Sequence, residues 1–292
     1  MGHTLPLAIV SRAFGSEDVA EITATQGFIA AALLLAIGAS LIPLMRRASA
    51  RMLGPTPART AGFRLMDLPI VVAAFILGQS LSLEAYRFWS GAGELDVASL
   101  GVLPALGLSA VSQGGTAIVV LAIVLRREGG LATLGLRHLT PGRRSMFAVG
   151  CYLLSLPTLM GLGALTAALF AAQGAAPPVQ DTALLVEQGL AERPLLIAAL
   201  VALVIPLLEE VLFRGFLLEV LVSRAGVAVG IILSSALFAL LHGMAVFLPI
   251  FGLALVLACV KLRTRSLGAA WMIHALHNGA TTLLITGGGL PT

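Results

Sequence analysis

The stretch "PLLEEVLFRGFLLEVL", residues 206–221, places four charged residues inside a long apolar segment, and three of them lie close together. Two adjacent glutamates, Glu209 and Glu210, are followed by Arg214, four residues after the second glutamate. An acidic side chain at the centre of a bilayer costs about 2.5–3.5 kcal/mol on insertion scales, so ionisable residues inside a membrane span indicate a function. Whether this segment spans a membrane depends on the rest of the chain.

The composition is that of an integral membrane protein. Of the 292 residues, 58% are hydrophobic and 11% are charged, and the mean hydropathy is +1.01. A soluble domain carries about 25% charged residues. The net charge of +4 is small and lies in particular loops, so nucleic acid is not an expected partner. Both cysteines lie in apolar segments, which excludes a disulfide framework.

Eight apolar segments are long enough to cross a bilayer, which takes about 20 residues of helix. We therefore predict an all-α fold, a polytopic membrane protein with a bundle of about eight transmembrane helices. The third segment is long and rich in glycine, so seven or nine helices remain open. The predicted spans are 27–45, 67–85, 98–125, 146–172, 195–221, 227–243, 245–262 and 267–286.

The charges of the loops predict the orientation of the helices. Arginine and lysine concentrate in alternate connections, at residues 46–64, 126–144, 224 and 261–265. The positive-inside rule then assigns these four basic loops to the cytoplasm and both termini to the other side. Because Ala, Gly, Leu and Arg dominate the sequence, as is typical of bacterial chains, we expect a multi-pass protein of a bacterial inner membrane.

Three histidines accompany the charges of residues 206–221. His242 ends the sixth predicted span in "FALLHG", and His274 and His277 lie in the eighth within "IHALHNGA", followed by Asn278. His242 could simply be an interfacial histidine at a helix end, and we expect His277 to be a bystander. Two adjacent acids with imidazoles on separate spans are nevertheless difficult to explain by packing alone.

The spacing of these residues along their helices predicts which of them share a helix face. Glu210 and Arg214 are four residues apart, so they share a helix face and can pair. A lone pair of this kind is usually a staple between helices. Glu209 points about 100° away from Glu210, so its carboxylate can face a different partner. His274 and Asn278 also share a face, and three helices could therefore converge on one point.

These side chains are the catalytic groups that a hydrolase without a covalent nucleophile would use. A buried carboxylate can act as general base on water, and histidine can bind that water or a metal. An imidazole together with an amide N–H can stabilise an oxyanion. The nucleophilic motif GxSxG and the zinc-protease motif HExxH are both absent from the sequence.

Three motifs in order resemble one known family. "EEVLFR" matches EExxxR, "FALLH" matches FxxxH and "HALHN" matches HxxxN. This combination is similar to the CAAX protease and bacteriocin-processing family of intramembrane endopeptidases, including its type II CAAX prenyl endopeptidases. The resemblance covers about residues 190–286. The matching residues are Glu209, Glu210, Arg214, Phe238, His242, His274 and Asn278.

The resemblance implies an eight-helix enzyme with a cavity in the membrane that opens toward the cytoplasm. In that family's mechanism, Glu209 would activate the hydrolytic water together with His242, and Arg214 would pair with and position Glu210. The chain would comprise a non-cytoplasmic segment (1–26), N-terminal transmembrane helices (27–130) and a catalytic core (131–292) with its motifs within 206–278. The residues expected to form the oxyanion site are His274 and Asn278.

The resemblance leaves the cofactor and the substrate open. Members are often called metalloproteases, so a zinc ion held by Glu209, His242 and His274 is a candidate, although no spacing demands it. The expected substrate is a membrane-embedded or lipidated peptide, with the bilayer as surroundings.

Two other functions compete with the protease. One is a non-proteolytic membrane protein of the same fold, such as a bacteriocin-immunity factor or a partner-binding scaffold. The intact state of all six catalytic motif positions favours the enzyme. The other is a secondary transporter with a Glu/His proton relay, which predicts repeat symmetry between the two halves. The first half has no intramembrane charges that match those of the second.

Overall fold

The computed structural model describes residues 24–53, 62–91, 100–127, 129–136, 142–173, 175 and 181–288, with backbone only for 24, 181–185 and 285–288. The predicted N-terminal segment 1–26 therefore lies almost entirely outside the described residues. Parts of the first two basic loops, at 54–61 and 137–141, also lie outside them.

The described part of the chain is helical and contains no strand, which confirms the predicted all-α class. A 3₁₀ turn, Met244–Val246, precedes the ninth helix. In chain order the helices are α1 Ala24–Leu53, α2 Asp67–Ser90, α3 Val102–Leu125, α4 Leu131–Leu134, α5 Arg143–Ala172, α6 Asp181–Glu192, α7 Pro194–Ala225, α8 Val227–Leu241, α9 Phe247–Thr264 and α10 Leu267–Gly288.

Eight of these helices correspond to the eight predicted spans. Among the described residues, six helices are long and apolar enough to cross a membrane: α1, α2, α3, α5, α7 and α9 with its 3₁₀ turn. Helix α8 is apolar but has only 15 residues. Helix α10 has 22 residues, and its histidines and asparagine lower its hydropathy. The short helices α4 and α6 lie where the sequence predicted loops.

Helix α10 lies at the centre of the bundle, in contact with α5, α7 and α9. Helix α8 packs between α7 and α9, α3 packs on α7, and α1 and α2 lie along α5 and α3. The apolar stretches of α1 and α2 are only 11% and 6% buried. Such exposed apolar helices are suited to a hydrocarbon solvent, so these two face lipid.

Three helices that border basic loops, α1, α7 and α9, meet near their C-terminal ends. At the end of α9, Arg263 Nη2 donates to the carbonyl of Ser49 in the last part of α1 over 3.1 Å. Near the end of α7, Glu219 accepts a hydrogen bond from Lys261 Nζ over 2.7 Å. These contacts bring the ends of α1, α7 and α9 together, and the sidedness of the basic loops stays a prediction.

Helix α4 supports the start of α10. Gly135 follows α4 with φ of +85°, a conformation that favours glycine, and its carbonyl accepts the N–H of Leu267 over 3.1 Å. Leu134 is fully buried, and a Cβ on Gly215 of α7 would lie 3.1 Å from its side chain. The first turn of α10 is therefore held level with the middle of α7.

A tight hairpin sets the register between α7 and α8. Gly226 joins them with φ of +83°, and a Cβ on Gly230 would lie 2.6 Å from the backbone nitrogen of Val222. The two helices therefore touch backbone to backbone near the turn. Glu209 and His242 lie 17 residues before and 16 residues after Gly226, so the hairpin brings them to the same depth.

Candidate active site

Helix α7 is α-helical around the adjacent pair Glu209 and Glu210 and π-helical on both sides of it. The segment Ile205–Glu210 lies between the π-helical turns Leu200–Val204 and Val211–Leu217. The sequence predicted one span here, residues 195–221, which Pro206 interrupts. In the π register the carbonyl of Val201 would accept from residue 206, but Pro206 has no N–H. The first widened turn thus has a carbonyl that needs another donor.

Two side chains of α10 donate to carbonyls of this widened turn. Asn278 Nδ2 donates to the Val201 carbonyl over 3.0 Å, and Trp271 Nε1 donates to the Leu203 carbonyl over 2.9 Å. Pi-helical turns occur frequently at functional sites and are rare elsewhere. The two hydrogen bonds fasten α10 to α7 close to the glutamate pair.

The inner part of the site is a buried trio from α7 and α10. Glu210, Arg214 and His274 are 0%, 2% and 3% exposed. Oε1 of Glu210 lies 3.1 Å from Nη1 of Arg214 and 2.9 Å from Nδ1 of His274. Buried charges require partners, and a carboxylate beside arginine accepts hydrogen bonds. Nδ1 of His274 is therefore the protonated ring nitrogen.

The outer part of the site is more accessible. The side chains of Glu209 and His242 are 14% and 29% exposed. Oε1 of Glu209 lies 4.0 Å from Nε2 of His242, and Oε2 lies 3.6 Å from Nε2 of His274. Nε2 of each imidazole thus faces a different oxygen of the Glu209 carboxylate. These distances exceed a direct hydrogen bond, and polar groups so separated are commonly bridged by water.

The tautomer of His242 follows from its own helix. Its Nδ1 lies 2.8 Å from the carbonyl oxygen of Phe238, one turn earlier. A carbonyl can only accept, so Nδ1 must carry the proton. In the neutral ring Nε2 then has a lone pair that faces Glu209. His242 and His274 have the same arrangement, with Nδ1–H bound to protein and Nε2 directed at Glu209.

Phe238 packs against both the inner and the outer part of the site. Its ring is 1% exposed, and the guanidinium carbon of Arg214 lies 4.2 Å from its centroid, within cation–π range. The ring centroids of His242 and His274 lie 4.4 Å and 5.7 Å away. In the sequence, Phe238 was singled out only as the first residue of the FxxxH motif, and no role was predicted for it. That motif was nevertheless the signal that could have identified Phe238 as part of the site.

His277 contacts a different helix. Its Nδ1 lies 3.2 Å from the hydroxyl of Tyr152 in α5, and the two rings meet edge to face. Among the ion pairs of the described residues, none includes His277. Its predicted bystander role stays a prediction.

The structure brings five of the six predicted catalytic residues together. The sixth, Asn278, lies on the same helix as His274, and its described hydrogen bond goes to the backbone of α7. The five that converge are Glu209, Glu210, Arg214, His242 and His274.

The candidate zinc site is not confirmed. Within the described ranges, no group of three or more His, Cys, Asp or Glu side chains has an arrangement that could hold a metal ion. This includes the candidate ligands Glu209, His242 and His274.

Fold and site together define a polytopic membrane protein with a buried carboxylate–histidine centre between α7, α8 and α10. Residues 191–280, which contain all of these side chains, match the family model described as Type II CAAX prenyl endopeptidase Rce1-like. This segment is therefore similar to that family, which confirms the resemblance seen in the motifs. Comparison with curated proteins and with solved structures gave no match.

Proposed function

We propose that the protein is an intramembrane endopeptidase that hydrolyses a peptide bond of a membrane-associated or lipidated peptide. The observation that carries the proposal is the pair of Nε2 atoms, from His242 and His274, directed at the two oxygens of Glu209. The Rce1-like match supports this activity at the level of the family.

Glu209 is the general base of this mechanism. Its carboxylate is partly exposed, so water can reach it, and it is not occupied by the arginine that pairs with Glu210. A water held between Glu209 and His242 would lose one proton to the carboxylate as its oxygen attacks the peptide carbonyl carbon. The lone pair on Nε2 of His242 would accept the other hydrogen of the water and so orient it.

Within the inner trio, Arg214 and Glu210 orient His274. Arg214 neutralises Glu210, and Glu210 accepts Nδ1–H of His274, which fixes the plane of the imidazole. This resembles the way a carboxylate orients the histidine of a catalytic triad. Because all three side chains are buried, no water competes for these contacts.

The charge that develops on the peptide oxygen needs donors. Asn278 has two N–H bonds on Nδ2; one binds the Val201 carbonyl, which holds the amide in place, and the other can donate to the oxyanion. His274 can donate from Nε2 when both ring nitrogens are protonated. Glu209 then returns the proton taken from water to the leaving amine, which balances the hydrolysis.

The substrate class follows from the surroundings of the site. The six helices that could span a membrane indicate that the reaction occurs within the bilayer. The family is described as one of prenyl endopeptidases, which supports a peptide with a lipid or transmembrane anchor as the substrate. Such a peptide would enter from the membrane with its scissile bond at the depth of Glu209.

The test compares peptide fragments in membranes that contain wild type, Glu209→Gln or Glu84→Gln at matched levels. Glu84 is an exposed glutamate of α2, so its variant carries the same chemical change away from the site. We expect mass spectrometry to find fragments that wild type and Glu84→Gln produce and Glu209→Gln does not. Identical fragment sets with all three proteins folded would instead favour a partner-binding protein of the same fold.

A further inference from the structure

A large cavity lies apart from the candidate active site, between α1, α5 and α9. Its volume is about 720 Å³, within the range of about 300–1,000 Å³ that is typical of ligand sites. One face of α1 lines it from Gly38 to Ala50, a length of roughly 18 Å at 1.5 Å per residue. This length is close to the thickness of one leaflet of the hydrocarbon core.

The cavity is amphipathic along this axis. Its lining is mainly apolar, whereas Arg46 and Arg263 line the end that borders the basic loops. Arg263 is held in place by its hydrogen bond to the Ser49 carbonyl, over 3.1 Å. The lining residues include no aspartate or glutamate. A ligand that fits must combine a long apolar part with an anionic group.

Helix α5 separates this cavity from the catalytic residues. Cys151 of α5 lines the cavity, while the next residue, Tyr152, turns toward His277 of α10. None of the side chains that converge on Glu209 lines the cavity. Occupation of the cavity is therefore compatible with an open active site.

We propose that this cavity binds an anionic phospholipid of the leaflet that faces the basic loops. One acyl chain lies between α1, α5 and α9, and the phosphate is bound by Arg46 and Arg263, because guanidinium groups bind phosphate oxygens in a bidentate way. Basic pockets between transmembrane helices at the cytoplasmic side are suited to anionic headgroups. The lipid joins α1 to the rest of the bundle. This proposal does not depend on the proposed protease activity.

Native mass spectrometry of the full chain in detergent tests the headgroup. Phosphatidylglycerol and phosphatidylcholine with the same acyl chains are added in equal amounts, and we expect the phosphatidylglycerol adduct to dominate. Arg46→Gln should reduce that preference about fivefold, the factor that corresponds to about 1 kcal/mol per basic residue near an anionic lipid surface. The matched control is Arg47→Gln, because Arg47 is an exposed neighbour that does not line the cavity, and it should keep the preference.

Cysteine labelling tests whether the lipid binds in this cavity. The chain has two cysteines, and both line the cavity: Cys259 is exposed and Cys151 is buried. Bound phosphatidylglycerol should slow the reaction of Cys259 with a bulky maleimide, and prior labelling should remove the lipid adduct. Cys259→Ser should keep the adduct after the same treatment.

Several results would overturn the proposal. One is equal binding of the two lipids, and another is an equal loss of the preference for phosphatidylglycerol in Arg46→Gln and Arg47→Gln. A third is a phosphatidylglycerol adduct that survives labelling of Cys259. A retained adduct with the mass of a lipopeptide would also overturn it, since the occupant would then be a peptide. Glu209→Gln should bind phosphatidylglycerol like wild type, which separates failure of this proposal from failure of the protease hypothesis.

Discussion

Nδ1 of His274 lies 2.9 Å from Oε1 of Glu210, although the two residues are 64 positions apart in the chain. The contact joins the central helix α10 to α7 and determines which ring nitrogen carries the proton. Arg214 approaches the same carboxylate oxygen at 3.1 Å. Stability and chemistry are thus coupled at Glu210, and substitutions can separate them.

Arg214→Ala should destabilise the fold and abolish activity together. It leaves the fully buried carboxylate of Glu210 without its cation, and removal of one partner of a buried pair costs about 3–5 kcal/mol. The thermal unfolding midpoint in detergent would fall accordingly. The double variant Arg214→Ala/Glu210→Gln removes the unpaired charge and should recover part of the stability but no activity.

A surface pair provides the control for this prediction. Arg87 and Glu84 form an ion pair at 2.8 Å with side chains 31% and 64% exposed. Exposed pairs contribute about 0–1 kcal/mol, so Arg87→Ala should change the unfolding midpoint little. Equal shifts for Arg87→Ala and Arg214→Ala would contradict the buried-pair interpretation, as would a double variant no more stable than Arg214→Ala alone.

Phe238→Leu should reduce activity more than its effect on stability explains. The change removes the ring that lies 4.2 Å from the Arg214 guanidinium and packs against both histidines. Loss of a cation–π contact costs about 0.5–2 kcal/mol, and the imidazoles also lose their support. Phe216→Leu makes the same change at an equally buried ring that packs on Phe63. Proteolysis and unfolding of both variants would be measured, and parallel losses of activity would deny Phe238 a specific role.

Asn278→Ala and Trp271→Phe should separate a catalytic from a structural role. Each removes one hydrogen bond from α10 to the first widened turn of α7, worth about 0.5–1.5 kcal/mol. The unfolding midpoints should therefore fall by similar amounts. If Asn278 also donates to the oxyanion, its variant should lose kcat by about 10²–10³-fold, while Trp271→Phe retains most of it. Similar kcat values in the two variants would mean that Asn278 only stabilises the first π-helical turn of α7 and does not donate to the oxyanion.

Much of the fold could be predicted because hydropathy is a strong signal. Eight apolar runs gave eight helices, and the i,i+4 spacing of Glu210 and Arg214 gave their ion pair. The short helices α4 and α6 were missed because their segments are too short or too polar to resemble a span. Helix α7 continues to Ala225, beyond the predicted end at residue 221, because a tight glycine turn leaves no loop.

The site was harder to predict than the helices that carry it. Spacing along one helix revealed which residues share a face, but the pairing of His274 with both glutamates depends on packing between helices. The widened turns of α7 have no periodic signal, and Pro206 was the one local indication of the first turn. The partner of Asn278 is a backbone carbonyl, which no motif can identify. The roles of all six predicted residues stay predictions.

Gly230→Ala should disable the site from a distance of three helical turns. The new Cβ would lie 2.6 Å from the backbone nitrogen and 2.8 Å from the Cα of Val222, so α8 must move away from α7. Such overpacking costs about 1–3 kcal/mol. The movement would also carry His242 away from Glu209, so proteolysis should fall by more than the loss of folded protein. The control is Gly150→Ala in α5, where a Cβ meets nothing within 4 Å and alanine favours the helix. An active Gly230→Ala protein with an unchanged unfolding midpoint would refute the role of this hairpin in setting the depth of His242.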